Sequence, residues 1–437
     1  MTFKDVYVVD GARTPFLKVQ GKAGPFSAAD LAVQAGRDLL LRQPFAPTDF
    51  DEVIIGCASP SPDEVNIGRV IALRLGCGDK VHAWTVMRNC ASGMQALDSA
   101  LTNIQLGRAS LVLAGGTDAL SHAPLLFSEE MTAWFAQLMS AKTLSQRLGV
   151  FAKFRPNYLK PVIGLLKGLT DPIVGLGMGQ TAENLVYDFK FTAEQQNEYA
   201  VRSHLRAVKA REAGAFKDEI SPLIDKSGKF YPEDDGIRPD SSVERLSRLR
   251  PVFDKQGGTI TAGNSSQVTD GASLLILASA EAVARYNLEP IGKITDSQWA
   301  GLDPSVMGLG PVHAATPILE RHQLGLNDVD LWEINEAFAA QVLGCLAAWD
   351  SEEYCQEHFG RSALGRLDEE RLNVDGGAIA IGHPVGASGA RIVLHLLHAL
   401  KARGLQRGIA TICIGGGQGG AMLVETMPSK RHEEVEA

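Results

Sequence analysis

Two stretches in opposite halves of this chain carry the same order of signals, and that repetition restricts the fold more than any single motif. In the first, Ala91-Ser92-Gly93 opens a helical pattern, Gly107 closes it, and the apolar run Leu111-Val112-Leu113-Ala114 leads to Gly115-Gly116. In the second, Ala387-Ser388-Gly389, Gly404 and Ile412-Cys413-Ile414-Gly415-Gly416 repeat that order. Phe50-Asp51-Glu52-Val53-Ile54-Ile55-Gly56 has its own counterpart in Val329-Asp330-Leu331-Trp332-Glu333-Ile334-Asn335. Strand, helix, strand, glycine turn, twice over, describes a duplicated α/β unit with a largely buried sheet. Duplication would place the two equivalent helix starts at a common cleft. Cys90 stands at one and residues 383–389 at the other.

The rest of the chain is read around this frame. Residues 6–9 predict a first strand, 27–41 a helix, 52–57 a second strand, and 110–114 a very apolar strand closed by a turn at Gly115-Gly116-Thr117-Asp118. From about His122 the character changes. Between Glu130 and Asp171 there is no acidic residue, while Lys142, Arg147, Lys153, Arg155, Lys160 and Lys167 are spread among leucines and aromatics. Pro156 and Pro161 would interrupt a long helix there, so two short ones are expected. A helical segment at 193–213 leads through polar sequence to Arg250-Pro251, and the core resumes with 258–262 and an apolar strand at 273–278. The expected division is 1–121 with 259–287 as one half, 122–258 as an inserted domain, 288–428 as the second half, and 429–437 as a charged tail.

A chain of 437 residues exceeds what one simple core organises. Its net charge of −9 argues against a nucleic-acid partner. The six cysteines are scattered, with no C-x-x-C pair and no zinc-like spacing. The first residues run directly into a strand pattern, and no apolar run reaches membrane-spanning length. A cytoplasmic protein is expected.

Four positions carry chemistry. Cys90 falls at a strand-to-helix turn, where unsatisfied amides and the helix dipole favour a thiolate; the plainer reading is a small buried cysteine. Asn335-Glu336 puts an amide and a carboxylate at a strand end. His383 lies in the glycine-dense block 376–389, where backbone can approach a ligand closely. Cys413 ends a strand before Gly415-Gly416-Gly417-Gln418-Gly419-Gly420. That run reads either as simple turns or as a weak phosphate-loop signal, since no lysine follows it.

Taken together, the blocks at 89–93, 263–266, 335–340, 376–389 and 413–420 resemble those of the thiolases, and with their spacing they cover nearly the whole chain. The resemblance implies a βαβαβαββ unit repeated in two stacked halves, giving a five-layer α/β/α/β/α core with an inserted loop domain. It implies reversible CoA-dependent cleavage of 3-ketoacyl-CoA to acetyl-CoA and a shortened acyl-CoA, in fatty acid β-oxidation, through an acyl-Cys90 intermediate. By the motifs, His383 activates Cys90 and Cys413 acts as general acid and base on acetyl-CoA. One oxyanion site would be His383 with a water held by Asn335; the other would be the N–H groups of Cys90 and Gly415. Ser266 would contact the pantetheine, with Met178 and Phe338 also at the substrate. No metal or permanently bound cofactor is implied, since coenzyme A and acyl-CoA are substrates.

Cys413 stands where a decarboxylating ketoacyl synthase would carry a second histidine. A short-chain acetyl-CoA acetyltransferase and a non-catalytic acyl-CoA carrier or structural subunit are the alternatives. Acetoacetyl-specific members usually carry a histidine before the Met-Gly of this block, where this chain has Gly177, which points to a longer acyl group. Residues 131–170 resemble the matching segment of thiolase β-subunits in fatty-acid-oxidation complexes. That implies a hydratase/dehydrogenase α-subunit as partner, besides a homodimer or tetramer. Six cations among apolar residues suit an anionic surface, including peripheral membrane contact. Equally, the apolar positions could pack on the core with the lysines solvated.

Overall fold

The computed structural model describes residues 4–427, so the expected tail at 429–437 lies outside the described residues. In chain order the first half runs β1 (Val6–Arg13), α1 (Ala28–Leu41), β2 (Glu52–Gly56), α2 (Ile67–Arg74), β3 (His82–Val86), α3 (Ser92–Gln105) and β4 (Leu111–Ala119). An excursion follows with α4 (Glu129–Ser140), α5 (Leu144–Phe151), α6 (Gly164–Gly168), α7 (Met178–Phe189) and α8 (Ala193–Glu212), and the chain returns at β5 (Thr269–Ser279). The second half contains β6 (Gly292–Gly301), α9 (Gly310–Arg321), β7 (Leu331–Ile334), α10 (Ala339–Asp350), α11 (Val385–Arg403), β8 (Arg407–Ile414) and β9 (Gln418–Thr426).

These nine strands lie in one sheet in the order β7-β8-β9-β6-β1-β5-β4-β2-β3, with the short segment Leu17–Lys18 paired to β5 as a tenth. The order is nearly symmetric about the β1–β6 junction. On each side the first strand of the half is followed by its last, then by the strand after the central helix, then by its second. The junction itself is narrow, with Val6, Tyr7 and Val8 facing Ile294, Lys293 and Gly292.

The layers follow from side-chain alternation. Along β5, Leu275 and Leu277 enter a central core while Leu274 and Ile276 enter an outer one, as the two-residue period of a strand requires. The central core is filled by Met94, Leu97 and Leu101 of α3 and by Leu394, Leu397 and Leu400 of α11. α11 touches β4 and β5 of one half and β7, β8 and β9 of the other, so the two central helices lie between the halves of the sheet. It is buried nearly all round, as a helix enclosed on both sides must be. α1 and α2 cover the outside of the first half, and α9 with α10 the outside of the second. Five layers result.

One expectation is corrected. Gly115-Gly116-Thr117-Asp118 is not a turn, because β4 continues through it to Ala119. A Cβ on Gly115 would lie 2.1 Å from the Ser273 carbonyl oxygen, and one on Gly116 only 1.9 Å from that of Gly386. These glycines let backbones approach each other; they do not bend the chain.

The excursion is tied to the core by buried charge. Arg13, at the end of β1, donates to Glu219 at 2.7 Å and to Asp234 at 2.8 Å, both from the excursion. Glu219 also bonds His395 of α11 at 2.9 Å, and its charge helps raise that imidazole to about 10. Each buried ion has a partner, which such burial demands.

Candidate active site

Cys90 lies between β3 and α3, immediately before the helix's first residues. Its turn is held by Ser92, whose hydroxyl accepts from the Arg88 N–H at 2.9 Å and donates to the Asn89 carbonyl at 2.7 Å. Cys90 is half-buried, whereas the other five cysteines are buried, so it is the most accessible of the six thiols. The expected preference for a thiolate is overturned. Burial pushes this thiol up to about 11, although the N–H groups of Gly415 and of Cys90 itself pull the other way. Desolvation outweighs the helix start, and the thiol needs a base.

His383 sits in the loop that enters α11, with its ring buried. Its Nδ1 lies 2.6 Å from Ser388 Oγ, and Ser388 Oγ lies 3.0 Å from the Pro384 carbonyl. Ser388 has one proton and spends it on that carbonyl, so it accepts the Nδ1–H of His383. The tautomer follows from this network: Nε2 carries the lone pair. Among the described residues no group bonds Nε2, although it is buried. Burial, and then the positive Arg391, lower this imidazole to about 4. A neutral ring with an open lone pair is what accepts a proton.

The two helix starts meet as the duplication requires. A Cβ on Gly93 would stand 2.7 Å from the Gly386 carbonyl oxygen, and one on Gly389 2.7 Å from the Met94 nitrogen. The Gly386 N–H in turn donates to Asp118, which also accepts from the N–H groups of Ala58 and Ser59. Asp118 thus anchors the His383 loop to the first half, a role hidden by reading its neighbourhood as a turn.

Cys413 lies one residue before the end of β8, facing away from the central core that takes Ile412 and Ile414. It packs with Ala182, Ile260, Met307, Ala337 and Phe338, and with the half-buried Met178 and Phe253. Burial, followed by the charge that Cys90 carries as a thiolate, raises the Cys413 thiol well above its ordinary value. It is held protonated beside the other cysteine. Gly415 stands between loops: its carbonyl accepts from Asn89 Nδ2 at 2.7 Å, and a Cβ added to it would lie 3.1 Å from Met178 Sδ.

Asn335 has no solvent exposure, yet neither atom of its side-chain amide has a partner among the described residues. An unsatisfied buried amide is costly and marks a place prepared for something else. Glu336 differs. It accepts from Tyr199, Ser203, Asn373 and the Ile379 N–H, which occupies both oxygens in holding the 376–381 segment. Ser266 is half-buried, and its N–H donates to the Ala337 carbonyl at 2.9 Å, while Phe338 bridges to Ser265 and meets Phe253 edge-on at 5.8 Å. The His383 N–H donates to the carbonyl of Gln267, next to Ser266. The structure therefore links Ser266 to the Phe338 block and brings Cys90, Cys413, Gly415, Met178 and Phe338 into one neighbourhood. Asp118, Ser388 and the hold of Asn89 on Gly415 are supports that sequence reasoning missed.

Comparison with known proteins places the site in context. Residues 6–281 match the family described as Thiolase, N-terminal domain, and residues 288–426 match Thiolase, C-terminal domain. The chain is 37% identical to the mitochondrial trifunctional enzyme subunit beta of Bos taurus, over 97% of this chain and 89% of the relative. It is 36% identical to the 3-ketoacyl-CoA thiolase of Serratia proteamaculans, over 96% of each. The crystal structure of human mitochondrial 3-ketoacyl-CoA thiolase in complex with CoA superimposes with a TM-score of 0.83 at 36% identity, covering 97% of this chain and 98% of that one.

Proposed function

Because the chain belongs to the thiolase family and is an acyltransferase of that family, we propose that it cleaves 3-ketoacyl-CoA reversibly, with Cys90 as nucleophile and Cys413 as acid and base. One observation carries this reading. Cys90, the most accessible thiol, stands beside a second, protonated cysteine, and the sequence blocks that build the site also supply an open imidazole nitrogen and an unpartnered amide.

His383 Nε2 takes the proton of Cys90, and the sulfur attacks the 3-keto carbon. The bond between C2 and C3 breaks, leaving an acyl group on Cys90 and the enolate of acetyl-CoA. Cys413 protonates that enolate. Proton exchange between the imidazolium and the Cys413 thiolate restores both. The thiol of coenzyme A then loses its proton to His383 and takes the acyl group from Cys90, which recovers the proton. In condensation Cys413 removes a proton from acetyl-CoA. The N–H groups of Cys90 and Gly415 hold one developing oxyanion; His383 with a water on Asn335 holds the other, and losing one such donor costs roughly 10²–10³ in rate. Ser266, Met178 and Phe338 bind the substrate.

Mass spectrometry after incubation with acetyl-CoA tests the reading: an acetyl group on Cys90 supports it, and its absence would favour an acyl-CoA carrier or structural subunit. For chain length, a side chain at Gly177 would meet Gln180 and Leu169 only at ordinary contact distance, so this residue leaves room. We therefore favour a broad or longer-chain degradative thiolase over an acetoacetyl-specific enzyme. Turnover from C4 to C16 decides, and activity confined to C4 would refute the preference.

The division into 1–121 with 259–287, the insert 122–258 and 288–428 belongs to the same proposal, as does a cytoplasmic location, which six free thiols suit. A homodimer or tetramer is supported by β3, the last strand of the sheet, with Trp84 and Val86 half-buried and Met87 exposed beside it.

Residues 131–170 support a docking role. Trp134 gathers Phe135, Phe151 and Phe154 edge-on within 5.5 Å, forming a small core of its own. Met139, Leu144, Leu148, Leu159 and Leu166 are left exposed among the cations. This favours an α-subunit or anionic membrane over packing on the thiolase core. Deleting the segment should spare acetoacetyl-CoA cleavage yet weaken sedimentation with anionic vesicles or an α-subunit, and docking of the intact chain should itself weaken as salt rises. An intact chain that binds neither at low salt returns the segment to a packing role.

A further inference from the structure

Asn89 and Cys90 are neighbours in sequence, and both reach Gly415 across the site. The Gly415 N–H is near enough to the Cys90 sulfur to favour its thiolate form, and the Gly415 carbonyl accepts from Asn89 Nδ2 at 2.7 Å. One residue is held through its carbonyl by Asn89 and faces the sulfur of Cys90, the next residue of the same loop.

Gly415 has need of such a grip. Gly416 and Gly417 follow it with φ of 94° and 74°, so the chain beyond β8 has little conformational preference of its own. No side chain at 415 anchors it, and a Cβ there would come within 3.1 Å of Met178 Sδ. Asn89 is itself in an uncommon state. Its φ is 43°, in the left-handed region that asparagine tolerates better than most residues. The N–H and hydroxyl of Ser92 donate to its carbonyl at 3.1 and 2.7 Å, which fixes that conformation.

We propose that Asn89 is a positioning residue of the reaction: its left-handed backbone aims Cys90, and its side-chain amide pins the Gly415 peptide so that the Gly415 N–H stays on the reacting sulfur and the oxyanion. This rests on the reading of Cys90 as nucleophile and adds a coupling between the two loops.

The test compares N89G, N89D and N89H in the full chain. Glycine keeps the left-handed backbone and removes the amide. Aspartate keeps the shape but turns an acceptor towards a carbonyl, and histidine restores a donor on a residue that tolerates the same φ. Three quantities are read: kcat and KM for acetoacetyl-CoA cleavage, the pH profile of Cys90 alkylation by iodoacetamide, and the melting temperature. N89G and N89D should lose about 10-fold or more in kcat, part of the effect of a lost oxyanion donor. Their KM should change by less than about 2-fold, since ground-state binding is untouched. Their alkylation profiles should move to higher pH, and N89H should recover part of each loss. N89G, or N89D should N89G not fold, with wild-type kcat and alkylation profile overturns the proposal, whatever its melting temperature. Acetylation of the wild-type chain runs beside it. If acetyl-CoA does not label wild-type Cys90, the nucleophile reading itself falls. If it does and the variants match wild type, only the role of Asn89 falls.

Discussion

Ser388 accepts a hydrogen bond from His383 Nδ1 at 2.6 Å because its only proton is committed to the Pro384 carbonyl one helical turn back. The serine thereby sets which ring nitrogen is basic. Ser388→Ala frees the ring to carry its proton on Nε2, where it cannot receive one from Cys90. We expect kcat to fall about 10- to 100-fold, up to the lower end of the roughly 10²–10⁴-fold that a general base contributes, while Ser388→Thr keeps most of it. Steady-state kinetics of the two variants checks this; equal loss in both would point to disturbed packing.

Cys90→Ala should abolish cleavage and condensation while leaving CoA binding largely intact, because only the covalent step is lost. Cys413→Ala should still acquire an acyl group on Cys90 yet fail in condensation. Single-turnover labelling alongside a condensation assay separates the two. An unchanged condensation rate in Cys413→Ala would sink the acid–base assignment.

Asn335→Ala removes the unpartnered amide without breaking any hydrogen bond made by its side chain. Stability should therefore hold within about 1 kcal/mol, since no satisfied polar contact is lost. Turnover should fall with less effect on acylation. Equal loss in both half-reactions counts against a water-holding role.

Buried neutral histidines predict an acid limb. His383, His204 and His313 are each lowered by burial to about 4 from an ordinary 6.5. The folded pKa lies below the unfolded one, so the unfolded chain takes up the protons first. Stability is unaffected above pH 6.5 and is lost as pH falls from 6.5 towards 4. His395, raised to about 10, acts oppositely: its contribution is complete below 6.5 and disappears as pH rises through 10. Urea unfolding across pH measures both limbs. Turnover should follow the acid one, with kcat/KM falling near the His383 value of about 4 and not near 6.5.

Gly116→Ala would force a Cβ to within 1.9 Å of the Gly386 carbonyl, a backbone atom that cannot swing aside. A loss of about 3 kcal/mol or more is expected from such overpacking. Gly149→Ala in α5 meets nothing within 4 Å. There the change should stabilise by about 0.5–1 kcal/mol, the propensity difference in a helix. Denaturant midpoints of the pair give the contrast.

Much of the fold could be read from period and repetition, because α3 and α11 carry helical apolar spacing and β5 an unbroken apolar run. The site was legible where chemistry and local context coincide. Cys90, His383 and Cys413 each sit beside glycines at an element boundary. What escaped depends on distance. Gly115-Gly116 look like a turn until Gly386, far along the chain, is seen against them. Asp118 seemed part of that turn, though it binds loops from both halves. The state of the Cys90 thiol depends on how deeply the other half covers it, and no local pattern states that.

The contact among Gly93, Gly116 and Gly386 is made backbone against backbone, with the Asp118 carboxylate bonded to the Gly386 N–H beside it. A joint that needs three glycines and one carboxylate changes little when other residues around it are exchanged, so each half can diverge without losing its alignment to the other. Chimeras that join residues 6–281 of one relative to residues 288–426 of another should consequently keep their reacting groups in register wherever these three glycines and Asp118 are retained, even when the helices behind them are repacked.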